Sequence, residues 1–179
     1  MSQHAVVPSV TENGVAELLQ NNGLDGTPVV LPYRDFGYES GQCHISAKHH
    51  VIAHGGKRVH GWALWRYDHP DAESMYVAEH HSIWEDASGQ LVDVTPPRDG
   101  AAAILFLRDD TATINSEGEN YLIRTDLTNW PEVPRLFAGE SIFYEFVPFD
   151  PAAPPAAIAD YAASLNFDMA HYLTEPGIG

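Results

Sequence analysis

Apolar and polar positions along the chain fall into short runs separated by glycine and proline. Residues 1–13 carry no period and are expected to form a loose leader. Val15, Leu18 and Leu19 share one side of a helix predicted over 14–22. Residues 29–31 form a short apolar strand that stops at Pro32. The stretch 33–42 holds Gly37 and Gly41 and reads as a loop. A helix is predicted from about 42 to 54, with Gly55-Gly56 at its C-terminal end. Beyond it, strands dominate: 58–66, 75–85, 90–95, 102–107, 120–124 and 141–147. Residues 151–155 form a proline- and alanine-rich linker, and 156–165 a short helix that packs back. No internal repeat or domain boundary interrupts the 179 residues. The expectation is one α+β domain, an early helix packed on a mostly antiparallel sheet.

Composition narrows the function classes. Hydrophobic residues make up 44% of the chain, which supports a folded core rather than disorder. Nine basic residues against 25 acidic ones give a net charge of −16. Such a surface repels phosphate backbones and anionic membranes, so neither nucleic acid nor membrane is an expected partner. A cationic or neutral substrate is easier to accommodate. Residues 1–11 lack the pattern of a signal peptide, and the longest apolar run, 101–107, is too short to span a bilayer. The single cysteine cannot form an internal disulfide. The default expectation is a cytoplasmic protein.

That cysteine, Cys43, opens the helix predicted at 42–54, where unpaired backbone N–H groups favour a thiolate. Thiol nucleophiles also need a base and a group that orients the base. His80 and His81 on one strand, and Asp93 on the next, are the candidates. Residues 86–90 suit a three-residue hairpin loop with Gly89 in the left-handed position. That register sets Ile83 opposite Asp93 and puts His81 on the Asp93 face. A four-residue loop would shift the register by one and select His80. His81 is therefore the first choice of base, with His80 in reserve.

Gly41-Gln42-Cys43, followed by Ala47, resembles the nucleophile segment of the transglutaminase-like branch of papain-like cysteine enzymes. His81-Ser82-Ile83-Trp84 resembles that family's histidine strand, and Asp93-Val94-Thr95 its aspartate strand. The resemblance covers residues 40–96. It departs from the family at His44, where an aromatic residue is usual, and at Pro96, which follows the threonine instead of preceding it. It implies a papain-like core and a cysteine hydrolase or acyltransferase acting on an amide or ester of a peptide or small molecule. Cys43 would attack, His81 would carry the proton and Asp93 would fix the imidazole. Gln42 or the Cys43 N–H would stabilise the oxyanion. No cofactor is implied.

Two other classes stand beside this one. His50 and His54 lie four residues apart on the predicted helix, a spacing that can hold zinc. A joint site with Cys43 and His81 is disfavoured, because Cys43 and His54 would stand about 16 Å apart along a helix. The third class is a non-catalytic acidic binding or inhibitor module. Trp62, Trp65 and Tyr67 could line a groove, though aromatic residues more often fill a core.

Overall fold

The computed structural model describes residues 4–117, 120–122, 126–129 and 156–172. The expected strand at 141–147 and the linker at 151–155 lie outside them. Helix α1 (Asn13–Asn21) buries Val15 and Leu18, as their spacing requires. Helix α2 (Cys43–His54) ends at Gly55, whose positive φ of 74° suits a residue without a Cβ. Helix α3 (Ala156–Ser164) buries Tyr161 and Ala162.

The residues expected to be a loose leader include a short strand, β1 (Ala5–Val6), which pairs with Tyr67 and Arg66. The other strands of the main sheet are β2 (Val29–Pro32), β3 (Lys57–Tyr67), β4 (Met75–Glu85), β5 (Leu91–Val92) and β6 (Ala103–Arg108). Strands β7 (Asn115–Glu117) and β8 (Asn120–Leu122) form a separate hairpin. A last strand, β9 (Leu127–Thr128), pairs with Val77 and Ala78 of β4. The order across the main sheet is β2-β6-β3-β4-β5, every pairing antiparallel. The fold is therefore α+β with an antiparallel sheet and three α-helices among the described residues.

Alternation along the strands builds two cores on opposite faces of the sheet. One face packs Trp62, Leu64 and Leu105 against Val15 and Leu18 of α1. The other gathers Leu31, Ala63, Trp65, Ile83 and Phe106 from four strands and contains no helical residue. That apolar face is covered by the sheet itself, because the sheet curls. Just beyond its two ends, Tyr33 and Asp93 form a parallel bridge. Asp93 N donates to Pro32 O at 3.2 Å, and Arg34 N donates to Asp93 O at 2.9 Å. The sheet is thus a partly closed barrel whose seam runs through Asp93.

Gly61 permits the curl at one point. A Cβ there would run into Leu107 O and the Phe106 ring, so β3 and β6 could not approach as they do. Among the described residues, no helix is long and apolar enough to cross a membrane.

Candidate active site

Strand β4 brings a base to the site. Its outer edge is paired with β9 at Val77 and Ala78 and with β5 at Trp84 and Glu85. Residues 79–83 lie between those two ladders. His81 is in this stretch and shares with Ile83 the face turned away from α1 and α2.

The β4–β5 hairpin brings the orienting carboxylate. Gly89 takes a φ of 85°, and Asp86 N donates to Gln90 O at 3.0 Å. Trp84 then pairs with Val92, which is the register of a three-residue loop. His81 Nε2 donates to Asp93 Oδ1 at 3.1 Å, and Thr95 N donates to the same oxygen at 3.0 Å. Asp93 is fully buried, and its Oδ2 has no partner among the described residues.

Helix α2 brings the thiol. Gly41, with a φ of 78°, turns the chain into the helix, and Gln42 O accepts both the N–H and the hydroxyl of Ser46, each at 2.9 Å. Ser46 Oγ also meets Tyr161 Oη at 2.8 Å, which ties α3 to this first turn. Cys43 is the first residue of α2 and is buried. Its side chain is near enough to the His81 imidazole to help raise the His81 pKa.

Burial works against a charged His81, but the Asp93 carboxylate and the Cys43 sulfur outweigh it. The imidazole is held well above the ordinary histidine range.

Cys43 and His81 open onto a cavity of about 670 Å³. Trp65, Tyr67, Glu79 and the turn Arg98-Asp99-Gly100 line it as well. Arg98 grips Glu79 through two bonds, Nε to Oε2 at 2.8 Å and Nη2 to Oε1 at 2.9 Å. Trp65 Nε1 donates to Glu79 at 2.8 Å. Burial resists ionisation of Glu79, but Arg98 prevails and holds it below the usual carboxylate range. Asp126 lies 3.9 Å from Arg98. Burial and the charge of Glu79 push its carboxyl up to about 7. Asp99 adopts a φ of 51° and accepts the Ala5 N–H, which fastens β1 to the cavity rim.

Glu79, Arg98 and Thr95 carried no role in the sequence reading. Glu79 had a local signal, since it stands two residues before His81 and so faces the same way. Arg98 had none, because its approach to Glu79 depends on the turn at 98–100.

The reserve residues lie elsewhere. His80 is on the opposite face of β4, where it donates to the Ala112 carbonyl and packs on His44 and Trp62. The observed register leaves it no approach to Asp93. Gln42 is not among the residues lining the cavity, although its backbone anchors Ser46. Trp62 is core, whereas Trp65 and Tyr67 are both buried and cavity-lining.

His50 and His54 stack with ring centroids 4.3 Å apart. His50 is buried among Phe36, Tyr38 and Trp84, and burial with two histidine neighbours lowers its pKa to about 4. No group of three or more metal-ligating residues is present among the described residues. Helix α2 runs unbroken from Cys43 to His54, so the two stand at opposite ends.

Compared with protein-family models, with curated proteins and with solved structures, the chain finds no match in any of the three.

Proposed function

We propose that this protein is a cysteine-dependent hydrolase or acyltransferase acting on an amide or ester bond. The observation that supports it is the linked set of Cys43 at the start of α2, His81 and Asp93, opening on one cavity. His81 Nδ1 takes the thiol proton, and Cys43 Sγ attacks the substrate carbonyl carbon. The tetrahedral intermediate collapses, the bond to nitrogen or oxygen breaks, and His81 returns the proton to the leaving group. Water or an amine then attacks the thioester, with His81 again holding the proton. Asp93 keeps the His81 proton on Nε2 and stabilises the imidazolium. Backbone N–H groups of the first turn of α2, Cys43 among them, are the available oxyanion donors. The resemblance to transglutaminase-like enzymes and a papain-like core belong to this reading, as does a cytoplasmic location.

The test is the rate of Cys43 alkylation by iodoacetamide against pH, followed by intact mass with and without a chelator. The expected result is fast alkylation below pH 7 that ignores the chelator and slows in His81→Ala. Slow alkylation at every pH would leave Cys43 a structural cysteine and sink the reading. Protection relieved by the chelator would replace it with a metal site.

A further inference from the structure

The cavity lining is charged, and its charge is lopsided. Glu79 and Asp99 line the cavity against Arg98 and His81, and the charge of His81 is matched by the buried Asp93 behind it. Arg98 is already engaged through both Nε and Nη2 by Glu79, and Asp126 stands behind it. Its positive charge is therefore spent within the wall, and the wall as a whole is negative.

A second, independent observation points into the same space. Thr95 lines the cavity and is 2% exposed, yet its Oγ1 has no partner among the described residues. A buried hydroxyl left unsatisfied is costly, so a bound group that supplies its partner is favoured there. Two aromatic residues, Trp65 and Tyr67, complete the surface. Aromatic faces attract cations once these are desolvated.

We propose that this cavity selects acyl substrates bearing a cationic group, an ammonium or a guanidinium, on the acyl side of the bond to be broken. The cation sits between Thr95 and the Glu79–Asp99 wall while the carbonyl meets Cys43. Glu79 and His81 are two residues apart on one face of β4, so about 7 Å separates them. An α-ammonium or a short basic side chain covers that span. An anionic substrate would have to draw Arg98 away from Glu79 and strand a half-buried carboxylate. This inference rests on the acyl-transfer reading of Cys43.

Three methanethiosulfonates of similar size test it: 2-aminoethyl, 2-hydroxyethyl and 2-sulfonatoethyl. Each forms a mixed disulfide with Cys43 and releases methanesulfinate, and intact mass gives the rate. The intact protein is compared with 2-mercaptoethanol at high salt, which screens the general field of the acidic surface. The expected result is a cationic-over-neutral ratio about tenfold above that of the free thiol. The ratio should fall in Asp99→Asn, Glu79→Gln and Thr95→Val. It should persist in Asp110→Asn, which removes an exposed acid outside the cavity. Asp99 lies at the rim, so its variant carries the test if Glu79→Gln does not fold. A ratio equal to that of the free thiol overturns the inference, as does an equal drop in Asp110→Asn. Preference for the sulfonate overturns it in favour of Arg98 as an anion anchor. The rate with the neutral reagent reports separately on the thiolate: if it is slow at every pH, the acyl-transfer reading fails, whatever the ratio.

Discussion

His81 and Asp93 meet at 3.1 Å across the β4–β5 hairpin, and the carboxylate that holds the imidazole is itself wholly out of solvent. Asp93→Asn nearly preserves the shape but removes the charge that raises the His81 pKa. Alkylation of Cys43 between pH 6 and 7 is expected to slow by at least about tenfold. Near-UV circular dichroism should remain that of the folded protein. An unchanged rate would mean that Asp93 does not act through His81.

Acid should destabilise the fold through its buried neutral histidines. Burial, aided by neighbouring histidines, lowers the pKa of His44 well below the ordinary value and that of His50 to about 4. Below pH about 6.5 the unfolded chain takes up protons at these positions while the native state does not. The contribution of these two groups is therefore complete above 6.5 and falls with decreasing pH. The slope is about 1.4 kcal/mol per pH unit for each group fully in its window. Comparing urea midpoints of the unchanged protein and His50→Gln between pH 4 and 6.5 should show it, the variant losing less stability towards acid. An identical pH dependence in the two proteins would contradict the burial argument.

Two other groups, His81 and Asp126, carry the opposite sign. His81 lies above its unfolded value, so its contribution is complete below about 6.5 and is lost as pH rises through its native pKa. Asp126, pushed up to about 7 by burial and by Glu79, holds a proton that the unfolded chain has already lost. Stability from this group falls between about pH 4 and pH 7 as it is forced to ionise. In Asp126→Asn that fall should disappear. The measurement is the difference in urea midpoint between the two proteins across this range.

Removing Arg98 should leave the half-buried Glu79 beside Asp126 without its counter-charge. Arg98→Gln is expected to cost about 1–2 kcal/mol, less than a fully buried pair would lose. Adding Glu79→Gln to it should cost less than the sum of the two single changes. Equilibrium unfolding of all four proteins gives the coupling directly, and strict additivity would contradict the pairing.

Gly61→Ala is expected to cost about 1–3 kcal/mol, because its methyl group would meet Leu107 O and the Phe106 ring. Thermal unfolding checks it. Gly89→Ala would act differently, through its φ of 85° with open space around the Cβ.

The hairpin register was legible because Gly89 fixes the loop length, and loop length fixes which histidine faces Asp93. Helix α2 was legible for a similar reason, since Gly41 and Gly55-Gly56 punctuate it on either side. What local pattern could not supply was anything that depends on the sheet as a whole. Strands β1 and β9 are two residues each and exist only because β3 and β4 offer free edges. The curl that joins Tyr33 to Asp93 has no periodic signature. The Glu79–Arg98 pair was hidden because its partners come from different elements. The burial of His50 was hidden for a physical reason as well. Its surroundings, Phe36 and Trp84, come from a loop and a strand far from it in sequence.

The seam also sets the order in which the molecule would come apart. The β2 end holds Asp93 by a single bridge made of two backbone bonds, to Pro32 and Arg34, whereas β3 and β4 share eleven paired residues along their length. Local opening starts where cooperative contacts are fewest. Mild denaturant should therefore unzip the junction of β2 and β5 first and take the partner of His81 with it, while most of the sheet endures. The protein would fall silent before it unfolds, and amide exchange at Asp93 and Arg34 would run ahead of exchange along β3.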